Sequence, residues 1–190
     1  MVIISMLRGV NVGAHNRVRM EALRATYMSL GLTDLQTYVQ SGNLLFQTRE
    51  PNLTNLATRI GDALEEAHGF RPAVILRTRT ELRQVIARNP FAERDGIEPN
   101  KLLVNFLLQE PTAQAGVATR EISIDPEQMH LAGREMYIYF PHGMGRSKFP
   151  WPRINQALNA TGTGRNWNTV TKLLEMAEAM EDEQGAFSPG

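Results

Sequence analysis

Arg8 and Asn11 follow a short apolar run, in the segment Arg8-Gly9-Val10-Asn11-Val12-Gly13. A guanidinium is a planar fork of donors suited to carboxylate or phosphate, and a neighbouring amide can orient whatever the fork holds. Ser41 and Asn43 flank Gly42 in a second polar stretch, and Arg165 with Asn166 forms a third. Lys148 stands just beyond Gly143-Met144-Gly145. Arginines, amides and one hydroxyl are the equipment for holding a small anion. On their own they specify no reaction type, and they leave open whether the protein is an enzyme. No G-x-S-x-G elbow is present, and no base stands near Ser41 to activate it, so no catalytic residue is assigned.

The remaining candidates for chemistry are quickly bounded. The chain has no cysteine, which removes disulfides, thiol nucleophiles and cysteine-ligated zinc. His15, His68, His130 and His142 lack metal-ligand spacing, so neither a metal nor a cofactor is expected. His15 and His142 fall in loops and are within reach of a substrate. His68 precedes Gly69 and reads as a surface position at a helix end. Gly143-Met144-Gly145-Arg146-Ser147-Lys148 is not a phosphate loop, because the order Gly-Lys-Ser/Thr is missing. Gly9-Val10-Asn11-Val12-Gly13 lacks the G-x-G-x-x-G of dinucleotide sites.

A purely structural account competes with the ligand site. Asn166 is explained as a helix N-cap and Ser41-Gly42-Asn43 as a turn. Gly9 and Gly13 meet backbone requirements, and Arg8 could tie two halves of the molecule together.

The elements that must position these residues follow from periodicity. Val2–Leu7 has the length and composition of a buried strand. Met20, Leu23, Tyr27 and Leu30 recur at helical spacing, and Gly31 supplies the stop. Leu35–Gln40 and the run from Leu44 read as a hairpin about Ser41-Gly42-Asn43. Asn52 caps a helix with a broad apolar face that ends at Gly69, and Pro72–Leu76 is a further strand. This order, βαββαβ, is that of ferredoxin-like units. Thr78 and Glu81 have capping-box spacing for a short helix that Asn89-Pro90 stops.

Asp95–Asn100 reads as a boundary, dividing the chain into 1–95 and 96–190. Beyond it Lys101–Gln109 is a strand, and Pro111 opens a short helix. Glu121–Ile124, Gln128–Ala132 and Glu135–Phe140 read as three short strands. A helix then starts near Pro152, with Ser147 as a possible cap, and a long one starts after Asn166. The second half therefore resembles the first in class but not in order, and no repeat is visible between them.

Composition is that of an ordinary globular protein, 42% hydrophobic and 21% charged. Formal net charge is zero, and arginine outnumbers lysine 17 to 3. Residues 1–95 carry 12 arginines against 9 acids, whereas five acids crowd Glu175–Glu183. No bulk basic field invites nucleic acid, the first strand has no aromatic residue, and the third has only Phe46. An RNA-binding sheet is therefore not expected. The opening apolar run is too short for a signal or membrane span, and a cytoplasmic location is expected.

The chain resembles the bacterial family called domain of unknown function 1697. The likeness rests on Leu7–Gly13, Met20-Glu21-Ala22-Leu23-Arg24, Tyr38–Asn43, Asn89-Pro90-Phe91, Gly143–Lys148 and Thr163–Val170. It departs at Arg19, where the pattern has a helix-starting proline, and at Phe149-Pro150-Trp151-Pro152. The resemblance implies an α+β fold of two subdomains and no established activity. The expectation is thus a ferredoxin-like subdomain and a smaller α+β unit with two C-terminal helices. A small anionic or nucleotide-like ligand would lie between them, held by Arg8, Asn11, Ser41, Asn43, Lys148, Arg165 and Asn166. The alternative is a nucleic-acid or protein-binding module using the first sheet, its polar motifs serving the fold. Neither reading specifies an oligomeric state.

Overall fold

The structure, a computed structural model, describes residues 1–13, 16–39 and 42–185. It is mixed α+β, with two four-stranded antiparallel sheets and six helices. The chain divides into two compact units, one formed by Met1–Gln84 with the stretch from Lys172 onward, the other by Val85–Thr171. Among the described residues no helix is long and apolar enough to cross a membrane.

The first unit runs β1 (Val2–Leu7), α1 (Met20–Ser29), β2 (Thr33–Tyr38), β3 (Asn43–Gln47), α2 (Leu53–His68) and β4 (Val74–Thr78). Its sheet has the order β2-β3-β1-β4. Ile3 and Leu7 of β1 pack with Leu44, Phe46, Leu23, Tyr27, Leu56 and Ile60. Val2, Ile4 and Met6 on the opposite face are buried as well, which is why β1 reads as a continuous apolar run rather than an alternating one. Tyr27 meets Phe46 edge to face at 5.6 Å, and its hydroxyl shares a 2.8 Å hydrogen bond with Ser5 Oγ.

The caps follow the expected chemistry. Asn52 accepts from the Asn55 N–H, and Gly69 closes α2 with φ +74°. Thr78 and Glu81 form a reciprocal capping box at the start of α3 (Arg79–Ala87).

The second unit contains β5 (Leu102–Leu107), α4 (Ala113–Arg120), β6 (Gln128–Ala132), β7 (Glu135–Tyr139), α5 (Trp151–Leu158) and β8 (Gly162–Asn166). Its sheet order is β6-β7-β5-β8. Helix α6 (Trp167–Gly185) follows directly. From Lys172 on α6 belongs to the first unit, where Glu178 pairs with Arg83 and Glu181 with Arg79. Glu178 and Glu181 of the acidic run near the C-terminus thus meet arginines from the first half of the chain.

Two expectations are corrected here. Glu121–Ile124 forms no strand. Ile122 and Ile124 instead pack onto the second unit's core from a loop. The second half also repeats the order of the first, βαββαβ followed by a helix, because Gly162–Asn166 is a strand. Further on, Ser147 accepts from the Phe149 N–H, and α5 starts at Trp151 with Pro150 at its cap position.

The repeat holds at the level of single residues. Ile4 faces Arg77 across the first sheet, as Val104 faces Arg165 across the second. Met6 faces Asn43 as Phe106 faces Glu135. Val2–Leu7 therefore maps onto Leu102–Leu107, and Arg77-Thr78 onto Arg165-Asn166. Thr78 caps α3 by accepting from Glu81 N–H, and Asn166 caps α6 by accepting from Thr169 N–H. Arg77 and Arg165 are 1% and 8% exposed, and each donates from Nη1 to the preceding carbonyl at 2.9 Å.

Candidate functional site

One rim of the first unit lies where β1 ends. The Leu7 N–H donates to the Gly42 carbonyl at 2.9 Å, and the Arg8 N–H to the Ala73 carbonyl at 3.0 Å. The β1–α1 loop, the β2–β3 turn and the approach to β4 are thereby brought to one edge. Gly42 sits at φ +69°, and a Cβ there would stand 2.9 Å from Leu7 Cβ. Only glycine lets the turn close this tightly on the strand end.

Arg8 is exposed, and among the described residues its guanidinium makes no hydrogen bond or ion pair. The described residues of the loop beyond it bond to one another, the Asn11 N–H donating to the Asn16 carbonyl at 3.1 Å. Asn11 and Asn16 occupy left-handed geometry at φ +56° and +50°, a conformation asparagine tolerates better than most residues. The Asn11 amide accepts from Val18 N–H at 2.8 Å and donates to Val18 C=O at 3.0 Å. It thus acts as a one-residue strand partner. Asn16 Nδ2 donates to the Gly9 carbonyl.

Val18 and Met20 pack partly buried on the first unit's core and, with Arg17, Arg19, Asn11, Gly13 and Glu21, line an open depression of about 750 Å³. A second depression, of about 790 Å³, mixes Asp34 and Glu50 with Arg49 and has no dominant sign.

Asn43 belongs to the same rim but is buried, and its amide donates to the Tyr38 carbonyl. Ser41, like His15, lies outside the described residues. The other three candidates are in the second unit. Lys148 is exposed before α5 and makes no hydrogen bond or ion pair among the described residues. Arg165 donates to Thr163 Oγ1 at 2.8 Å, and burial pulls its guanidinium down to about 10. Asn166 is the N-cap of α6. Among the described residues no group of three His, Cys, Asp or Glu side chains could hold a metal.

The corresponding rim of the second unit is an internal control. Leu107 N–H donates to the Arg134 carbonyl and Leu108 N–H to the Thr161 carbonyl, both at 2.8 Å. These are the counterparts of the Leu7 and Arg8 bonds. The residue equivalent to Arg8 is Leu108, 46% exposed, and the chain then reaches α4 within a few residues. An arginine is therefore not needed to close this strand end, and neither is a folded asparagine-rich loop.

The model of a family described as a protein of unknown function, DUF1697, matches residues 1–137. The chain belongs to the DUF1697 family. No curated protein matches it. A solved structure described as that of the conserved bacterial protein SP0830 from Streptococcus pneumoniae is similar in fold. Its TM-score is 0.72 at 19% identity, over 93% of this chain and 98% of that one. The DUF1697 match takes in the whole β1–α1 loop.

Sequence reasoning missed Arg17 as a candidate and met Arg19 only as a departure from the DUF1697 pattern. The signal was Arg17-Val18-Arg19-Met20, an alternation of charged and apolar residues that puts both arginines on one side of an extended segment.

Proposed function

We propose that this chain binds a small anionic or nucleotide-like ligand at the β1 rim of its first unit, with Arg8 as the anchoring cation. The observation that carries this reading is the exchange of Arg8 for Leu108 between two rims with the same backbone hydrogen bonds. What one repeat has and its equivalent does without is not a requirement of the fold. By the same argument Arg165 and Asn166, matched by Arg77 and Thr78, serve their strand and helix, and Asn11 holds the loop rather than a ligand. Exposed guanidinium groups without carboxylate partners retain their full capacity for a bidentate anion. The cysteine-free composition supports a reducing, cytoplasmic setting.

A thermal-shift panel of nucleotides, sugar phosphates and carboxylates tests the reading on wild type and Arg8→Leu. A ligand at a hundredfold excess over its Kd stabilises the folded state by about 2.7 kcal/mol. The expected result is a class of anions that raises the wild-type melting temperature and has no effect on Arg8→Leu. A panel without hits contradicts the reading. Salt-sensitive binding of single-stranded nucleic acid in its place would favour a macromolecular partner.

A further inference from the structure

We infer that the depression beside the β1–α1 loop takes a phosphoryl group, gripped by Arg17 and Arg19. This deepens, and rests on, the anion reading above, and it assigns a chemical class and two residues that reading does not use.

The geometry starts at Asn11. By taking both the N–H and the C=O of Val18, its amide fixes the segment as a strand partner would. Arg19 is extended, with φ −70° and ψ 142°. Val18 and Met20, partly buried against the core, also edge the depression. Arg17 and Arg19 flank Val18, are both exposed, and stand two residues apart, about 6–7 Å along an extended chain. Both line the depression, where Glu21 is the one acidic residue among the lining groups. Arg19 makes no hydrogen bond or ion pair among the described residues, and Arg17 only a long 3.3 Å bond from Nε to the Gly13 carbonyl. The terminal donors of both forks remain available.

Two forks against one carboxylate select for ligand charge and oxygen count. A carboxylate offers two oxygens and one charge, which a single arginine satisfies bidentately. A phosphate monoester offers three oxygens and close to two charges, so it can occupy both forks at once. The Asn11 clamp holds the two arginines at their spacing before any ligand arrives, and preorganisation reduces the entropy lost on binding.

The test titrates the full chain with inorganic phosphate and, separately, acetate at constant ionic strength, following amide signals by 15N–1H correlation spectra. Wild type, Arg17→Gln, Arg19→Gln and Arg8→Leu are compared. Both loop arginines are exposed, so the variants should keep the wild-type melting temperature. Phosphate is expected to move signals within 11–21, to bind about tenfold or more tightly than acetate, and to weaken about tenfold in either glutamine variant.

Equal phosphate binding by wild type and both glutamine variants overturns the assignment to Arg17 and Arg19. If Arg8→Leu alone loses phosphate, the assignment falls while the Arg8 reading stands. Acetate binding as tightly as phosphate overturns the phosphoryl class. No phosphate response at tens of millimolar overturns the inference, whereas the Arg8 reading falls only if the wider anion panel is also silent.

Discussion

Substituting Gly42 by alanine tests whether the β2–β3 turn is locked onto the end of β1. Two costs add. An L-residue in left-handed geometry, here φ +69°, costs about 1–2 kcal/mol. The new methyl would also stand 2.9 Å from Leu7 Cβ and 3.3 Å from Val10 Cβ. Leu7 Cβ is fixed to a central strand and cannot swing aside, so this overlap costs about 1–3 kcal/mol as overpacking. Alanine returns about 0.4–1 kcal/mol by narrowing the unfolded ensemble. The net loss is about 2–4 kcal/mol, which lowers the melting temperature of a protein of this size by about 4–16 °C.

Gly9→Ala is the matched control. Gly9 has φ +72° but no atom within 4 Å of its would-be Cβ, so it should lose only the backbone cost. Urea unfolding of wild type and both variants separates the two contributions. If Gly42→Ala is no less stable than Gly9→Ala, the turn does not close against Leu7 as described.

The buried Ser5–Tyr27 pair should behave non-additively. Tyr27→Phe strands the Ser5 hydroxyl and should cost about 1–3 kcal/mol, while adding Ser5→Ala should recover part of that loss in a double-mutant cycle. Asn166→Ala should cost about 1 kcal/mol as the loss of an N-cap and leave anion binding unchanged. Burial raises the Tyr27 phenol above its usual value of 10.0, the Ser5 bond only partly offsetting it. The unfolded chain therefore gives up this proton first as pH climbs past 10, so this residue's contribution to stability falls there. Tyr137 is raised by burial in the same direction, so absorbance titration should show two tyrosines ionising only on unfolding, and Tyr27→Phe should reduce that phase to one.

The first unit was largely legible because its signals are local. Asn52 and Gly69 bracket α2, Thr78 with Glu81 starts α3, and an apolar run interrupted only by Ser5 marks a strand buried on both faces. β8 was not legible. Gly162-Thr163-Gly164-Arg165-Asn166 has little strand propensity, and its glycines are explained only by tertiary context. A Cβ on Gly162 would meet the Asn105 amide at 2.7 Å, and one on Gly164 would meet Leu103 at 3.1 Å, so β5 side chains lean over the edge strand. Ile122 and Ile124 misled for the opposite reason, since alternating apolar residues can pack from a loop that has no strand to pair with.

The same limit applies to the site. Arg8 and Arg165 look alike in the sequence, and only the register equates Arg165 with Arg77 and Arg8 with Leu108. Arg17 and Arg19 emerged once Asn11 was seen to clamp Val18 between them.

The central claim is that Arg8 is spare to the fold. It is tested most directly by urea unfolding of ligand-free wild type and Arg8→Leu, which places the second unit's residue at the first unit's rim. The account predicts unfolding free energies within about 0.5 kcal/mol, as for an exposed side chain that makes no partner contacts. A loss of about 2 kcal/mol or more, the size expected when a structural network is broken, would contradict it and make Arg8 part of the scaffold.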